Sequence, residues 1–182
     1  MTFDMQPELT GKTLHLRPLT EADRAAMTVA SSDPLIWELH PAVDRHLSEK
    51  FQPYFDKLLA SGGTLVVIDR ANGAIIGWSS YGELNPAARE VEIGWTFLTR
   101  AYWGGETNRE MKALMLAHAF AFVDTVVFRV ATDNLRSRAA MEKIGGILID
   151  RPAEIVFEGR AVPHVVYAIG KADFEESPLS RT

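Results

Sequence analysis

The segment Gly104-Gly105-Glu106-Thr107-Asn108 combines a glycine pair with the expected start of a helix. A helix N-terminus carries free amide donors and a partial positive charge, so it can hold a phosphate or pyrophosphate. Glycines let the backbone approach such a ligand closely. Thr107-x-x-Glu110 has the spacing of a capping box and predicts a helix beginning at Thr107. The same residues fit a capped helix after a tight turn with no ligand. Neither G-x-x-x-x-G-K-[ST] nor G-x-G-x-x-G occurs, which weighs against nucleoside triphosphate and dinucleotide binding.

Other chemistries are excluded more firmly. The chain has no cysteine, so disulfides, thiolate nucleophiles and Cys-ligated metals are absent. H-E-x-x-H is missing and the carboxylates do not cluster with histidine, so no metal site is expected. No G-x-S-x-G elbow supports a serine hydrolase. The formal net charge of −5 argues against a nucleic-acid partner, since phosphate neutralisation needs a dense basic surface. Arg136 and Arg138 form the only close arginine pair beside an expected loop.

The scaffold that must position these residues is one domain, a size that 182 residues suit, with a polar C-terminal tail over 171–182. Alternation over 13–19 predicts a half-buried strand, and Thr20 with Asp23 predicts the start of a helix to about Ala30. A helix over 48–61 contains Pro53, which predicts a kink or a later start. Asn72-Gly73 joins strands over 64–69 and 74–82. A strand over 90–98 contains Gly94, which marks a bulge or close backbone approach. A helix over 107–123, a buried strand over 126–131 and a helix over 135–144 follow. Short strands over 147–149, 155–158 and 162–169 close the chain. The order is β-α-α-β-β-β-α-β-α-β-β, a mixed sheet with helices on its faces rather than regular βα alternation. The N-terminus lacks a signal-peptide pattern, and the longest apolar run, 113–123, falls short of the ~20 residues of a membrane span. A soluble, cytoplasmic protein with no membrane partner is therefore expected.

Glu92-Ile93-Gly94-Trp95, Tyr102-Trp103-Gly104-Gly105 and Asn134-x-x-Ser137-x-x-x-Met141-Glu142-Lys143-Ile144-Gly145 occur in that order. Together they resemble the GNAT acetyltransferases, and more narrowly their RimJ/RimL-type branch, which acetylates protein N-termini and various small amines. The likeness spans most of the chain, from Leu16-Arg17-Pro18-Leu19 to the last hairpin. It implies a central mixed, mostly antiparallel twisted sheet and acetyl-CoA as cofactor. It also implies a V-shaped opening between the strands over 90–98 and 126–131. The pantetheine arm would pair with backbone near Phe97 and Leu98, and the pyrophosphate would rest on amides of Trp103, Gly104, Gly105, Glu106, Thr107 and Asn108. Asn134 matches the family asparagine that bonds the cofactor arm, and Ser137 a polar position nearby. Asn134 as a simple helix cap and Ser137 as a surface residue are the alternatives.

Three positions depart from the family pattern. The pyrophosphate motif [Q/R]-x-x-G-x-[G/A] aligns without gaps on Trp103, Glu106 and Asn108. A carboxylate there repels phosphate, unless Glu106 points outward while Gly104-Gly105 gives the close approach and Arg109 supplies compensating charge. Met141 stands where many members carry the tyrosine that protonates the departing thiolate, which leaves Tyr167, Tyr81 or a water for that task. Gly146 replaces an aromatic residue. The implied mechanism is direct attack of an amine on the thioester, for which a base is useful. Glu92, on one strand face with Glu90 and Gly94, is the candidate base; a solvent-facing residue or an arginine partner is its alternative role.

His40 and His46 lie in the connection expected on the acceptor side, where they can touch substrate or act as an alternative base and Trp37 can wall the site. Glu38, Asp44, Glu49, Glu83 and Glu90 can supply an acidic mouth for a polycationic acceptor, or be solvated surface. The acceptor is a peptide N-terminus or a small-molecule amine. A non-catalytic acyl-CoA-binding module, a structural protein with no CoA site, and an oligomer paired through the last hairpin all remain open.

Overall fold

The computed structural model describes residues 2–182. In chain order the elements are β1 (Leu9–Thr10), β2 (Leu14–Pro18), α1 (Arg24–Ala30), α2 (Ser48–Ser61), β3 (Thr64–Asp69), β4 (Ile75–Asn85), β5 (Glu90–Leu98), α3 (Thr107–Ala119), β6 (Thr125–Ala131), α4 (Leu135–Lys143), β7 (Ile147–Phe157), β8 (Arg160–Gly170) and α5 (Lys171–Glu176). The strands form one sheet in the order β1-β2-β3-β4-β5-β6-β8-β7. All neighbours are antiparallel except β5 and β6, which run parallel. This is the mixed, mostly antiparallel sheet flanked by helices that the family resemblance implies.

Alternation along the central strands builds a core on each face. Leu65 and Val67 of β3 join Ile93, Met111, Met115 and Phe128 under α3, while Val66 joins Phe51, Phe55 and Trp78 under α2. The start of α1 is fixed by the buried Asp23 carboxylate. It accepts from the Thr20 backbone N–H at 2.8 Å and from both Arg17 Nη atoms at 2.9 and 2.7 Å. α2 runs through Pro53 without a break. The carbonyl that Pro53 leaves unpaired belongs to Glu49, an exposed residue near the helix start, where water can satisfy it.

Several local expectations are corrected. Glu106, not Thr107, is the N-cap of α3, so Glu110 is one position too far along for a capping box. Its buried carboxylate instead accepts from Thr13 N at 2.8 Å and Leu14 N at 3.2 Å, tying α3 to β2. α3 ends at Ala119, short of residue 123. The two short strands expected over 147–149 and 155–158 are one, β7, with a register irregularity between Ile149 and Ala153. The expected polar tail folds as α5 and a 3-10 turn over Pro178–Arg181, burying Phe174 and Leu179.

Candidate functional site

β5 and β6 pair at three positions only, Glu90–Thr125, Val91–Val126 and Glu92–Val127. Both strands continue, β5 to Leu98 and β6 to Ala131, without further pairing between them. The central strand of the sheet therefore has an unpaired backbone edge from Ile93 to Leu98, which is the V-shaped opening. A bulge sharpens it: the register of β4 against β5 shifts between Ser80–Gly94 and Trp78–Phe97, and Trp95 takes a left-handed φ of 51°. Gly82 makes that turn possible, because a Cβ there would stand 2.6 Å from the Trp95 indole.

Glu92 occupies the last paired position and is 3% exposed. Arg129, two residues beyond Val127 on β6, brings Nη1 to 3.4 Å from Glu92 Oε2. The alignment is too poor for a hydrogen bond, and Oε2 has no partner among the described residues. Burial pushes the carboxyl up to about 7, against the pull of Arg129 and with a smaller push from Glu83 and Glu90. A carboxyl that changes charge near neutral pH at the apex of an opening is suited to accept a proton.

On the Glu92 face, aromatic rings from three segments adjoin. His40 lies edge-on to Trp37 and to Phe157 of β7, and Phe157 stacks on His164 of β8. Arg45, 8% exposed, lies 3.7 Å over the Tyr54 ring. His40 Nδ1 accepts from Ala42 N at 2.9 Å, and burial with the nearby Arg45 pulls the imidazole down to about 3. It therefore stays neutral with its lone pair engaged, which does not suit it to accept a proton. His46 is half-buried, its Nδ1 3.1 Å from the Val43 carbonyl. The acidic mouth is largely neutralised: Glu38 pairs with Arg136, Asp44 with Lys50 and Glu90 with Arg151.

At the other end of the opening, Gly104 has φ 74°, and a Cβ at Gly104 or Gly105 would meet open space. The Glu106 side chain is 84% exposed and 3.5 Å from Arg109. Thr107 and Asn108 open α3 beside it, both half-buried. Phe97 and Leu98 bury their side chains, and the Leu98 carbonyl accepts from Trp103 Nε1 at 2.8 Å. Arg136, at the start of α4, stacks 4.1 Å over Trp103 and donates to the Ile36 carbonyl. It thus links the segments that follow the two diverging strands. Asn134 caps α4 through Oδ1 to Ser137 N at 3.1 Å.

Met141 and the two tyrosines that are candidates in its place differ in what they can donate. Met141 is buried in the α3-side core and has no proton to give. Tyr81 donates to the Met115 carbonyl at 2.7 Å, and Tyr167 donates to Glu142 of α4 at 3.1 Å. Sequence reasoning missed Lys112, which is 1% exposed on α3. Its Nζ donates to Ser79 Oγ at 3.0 Å and Thr96 Oγ1 at 2.9 Å. The available signal was a lysine between Met111 and Ala113, one turn from Met115 and two from Ala119 on the apolar side of the helix. Arg129 and Phe157 carried no local signal, because only the strand pairing brings them to the opening, and Arg45 lies in the irregular loop before α2.

A family model described as an acetyltransferase (GNAT) domain matches residues 13–147. Among curated proteins nothing matches. The fold is similar to that of a GCN5-related N-acetyltransferase from Brucella melitensis, with TM-score 0.84 and 19% identity over 97% of this chain and 83% of that one. A spermidine N-acetyltransferase from Vibrio cholerae, solved with CoA and spermine, has TM-score 0.66 and 18% identity over 91% of this chain and 100% of its own. Mycobacterium smegmatis RimJ, solved with CoA-disulfide, has TM-score 0.71 and 20% identity, covering 97% and 91%. At these identities the likeness is one of fold. No helix among the described residues is long and apolar enough to cross a membrane.

Proposed function

The chain belongs to the GNAT acetyltransferase family, and from that premise we propose that it is a cytoplasmic enzyme moving an acetyl group from acetyl-CoA to a primary amine. The observation that carries this reading is the opening between β5 and β6, with a buried, unsatisfied carboxyl at its apex. The residues fit the cofactor. An unpaired strand edge offers hydrogen bonds to the amide-bearing arm, and open space over Gly104 and Gly105 leaves the amides of the α3 start accessible to a pyrophosphate. Asn134 and Ser137 stand where β6 ends, beside the same opening.

When bound, acetyl-CoA supplies the thioester carbonyl that the amine attacks. Glu92 accepts the proton that the amine nitrogen loses as it becomes an amide. Arg129, 3.4 Å away, favours the carboxylate form of Glu92 before it takes that proton. The wall of Trp37, His40, Phe157 and His164 orients the acceptor toward Glu92. The resemblance to the RimJ/RimL-type branch keeps two acceptor classes, a small amine and a protein N-terminus, and the V. cholerae enzyme of the same fold was solved with spermine. Neutralisation of Glu38, Asp44 and Glu90 removes much of the reason to favour a polycation.

Met141 favours a second reading, an acyl-CoA-binding module without turnover. Two measurements on the purified protein separate the readings. Acetyl-CoA at about 100 times its dissociation constant is expected to add ~2.7 kcal/mol of stability, with adenosine as the control. Amine-dependent release of CoA thiol across peptides and polyamines is then expected. Stabilisation without thiol release from any amine leaves the binding module, and no stabilisation removes both.

A further inference from the structure

The opening has a second buried ionisable group, and it lies on the other face of the sheet from Glu92. Thr96 and Phe128 flank the gap where β5 and β6 have parted, and Thr96 is exposed. Behind it the Lys112 amine is sealed from solvent, bonded to Thr96 Oγ1 at 2.9 Å and Ser79 Oγ at 3.0 Å, with the Phe128 ring 5.7 Å away. The two hydroxyls are themselves 2.7 Å apart. A lysine buried without a carboxylate is costly, so its position calls for an explanation beyond packing. The groups facing it from β4, β5 and β6 are Ser79, Thr96 and Phe128, all uncharged. Burial alone pulls the amine down to about 7.

We propose that the Thr96 hydroxyl, backed by the Lys112 amine, is the proton donor to the departing thiol, the task that Met141 cannot perform. This rests on the acetyltransferase reading. As the new C–N bond forms and the C–S bond breaks, the electron pair of that bond goes to sulfur. Thr96 Oγ1 gives its proton to the sulfur and takes one from Lys112 Nζ, which becomes neutral. Glu92 on the opposite face receives the proton lost by the amine nitrogen. The amine charge is restored from water through the opening after the products leave. An ammonium that loses its proton near neutral pH is matched to this role.

The test compares Thr96→Val, Thr96→Ser and Lys112→Met with the parent protein. Turnover at saturating acetyl-CoA is expected to fall roughly 100-fold in Thr96→Val and Lys112→Met, and to be restored largely in Thr96→Ser. A second readout needs no turnover: the ultraviolet thiolate absorbance of bound CoA, titrated with pH. A donor beside sulfur stabilises the thiolate, so the thiolate is expected to form at higher pH in Thr96→Val than in the parent. Unchanged thiolate titration with unchanged turnover in Thr96→Val overturns the relay while the acetyltransferase reading stands. Failure of the parent protein to bind acetyl-CoA overturns both.

Discussion

Glu92 sits 3.4 Å from a guanidinium yet remains hard to ionise, because burial removes more hydration than one misaligned arginine returns. Its folded value, about 7, lies above its ordinary 4.5, so the neutral carboxyl is the form the fold favours. The stability associated with the proton is complete below 4.5 and is lost as pH rises through about 7. The gap corresponds to roughly 3 kcal/mol. Replacement by Gln, which keeps the shape and cannot ionise, is expected to gain stability over the parent between pH 4.5 and 7, with a plateau above. The base role runs the other way, since only the carboxylate accepts a proton. Parent turnover at saturating acetyl-CoA is expected to rise toward pH 7 as Glu92 ionises and to fall above it as Lys112 loses its proton, whereas Glu92→Gln is expected to lose the rising limb and fall about 100-fold. Parallel melting curves and rate profiles check both, and an unchanged rate profile in Glu92→Gln removes the residue from the chemistry. The carboxyl was legible as a candidate from its strand face. Its burial was not, because that depends on where β6 stops pairing.

At the scale of elements, the junction of α3 with β2 shows how a motif can be right in spacing and wrong in role. Thr107 and Glu110 stand three apart, as a capping box requires, but the helix begins its cap one residue earlier. Glu110 therefore projects toward β2, where burial raises its pKa and hydrogen bonds from Thr13 and Leu14 outweigh that to lower it. Removing the carboxylate leaves the Thr13 and Leu14 N–H groups without these acceptors near the start of α3, where the pyrophosphate is proposed to rest. Glu110→Ala is expected to cost about 2–4 kcal/mol in denaturant unfolding. Because the folded value is depressed, the deficit should narrow as pH falls below 4.5. An equal deficit at every pH would show that Glu110 acts by packing alone. Strands and helices elsewhere were legible from punctuation, as at Asn72-Gly73 and Gly62, where the glycines have φ 72° and 65°. Trp95 was not legible, since no sequence rule assigns a left-handed φ to tryptophan.

For the whole molecule, the sheet order and the parting of its two central strands are products of topology, and no local pattern records them. The motif order implied them only through resemblance. The C-terminal segment shows the same limit, for its apolar residues are spaced too sparsely among polar ones to declare a buried face. Phe174 nonetheless packs 5.3 Å from Phe120 at the end of α3, and Leu179 is 2% exposed in the same core as Met111 and Met115. The Lys171 N–H donates to the Asp124 carbonyl at 2.9 Å, anchoring α5 just before β6. The segment thus braces the far end of the helix whose start is the proposed cofactor cradle. Leu179→Ala removes three buried carbons beneath α3 and is expected to lower stability by ~2–4 kcal/mol. Leu135→Ala, at a side chain 67% exposed on α4, is expected to stay within about 0.5 kcal/mol of the parent. Thermal melting of the two variants beside the parent decides the matter. If Leu179→Ala melts with the parent, the tail is a dispensable cover, and the support for α3 resides in the sheet and in Glu110 alone.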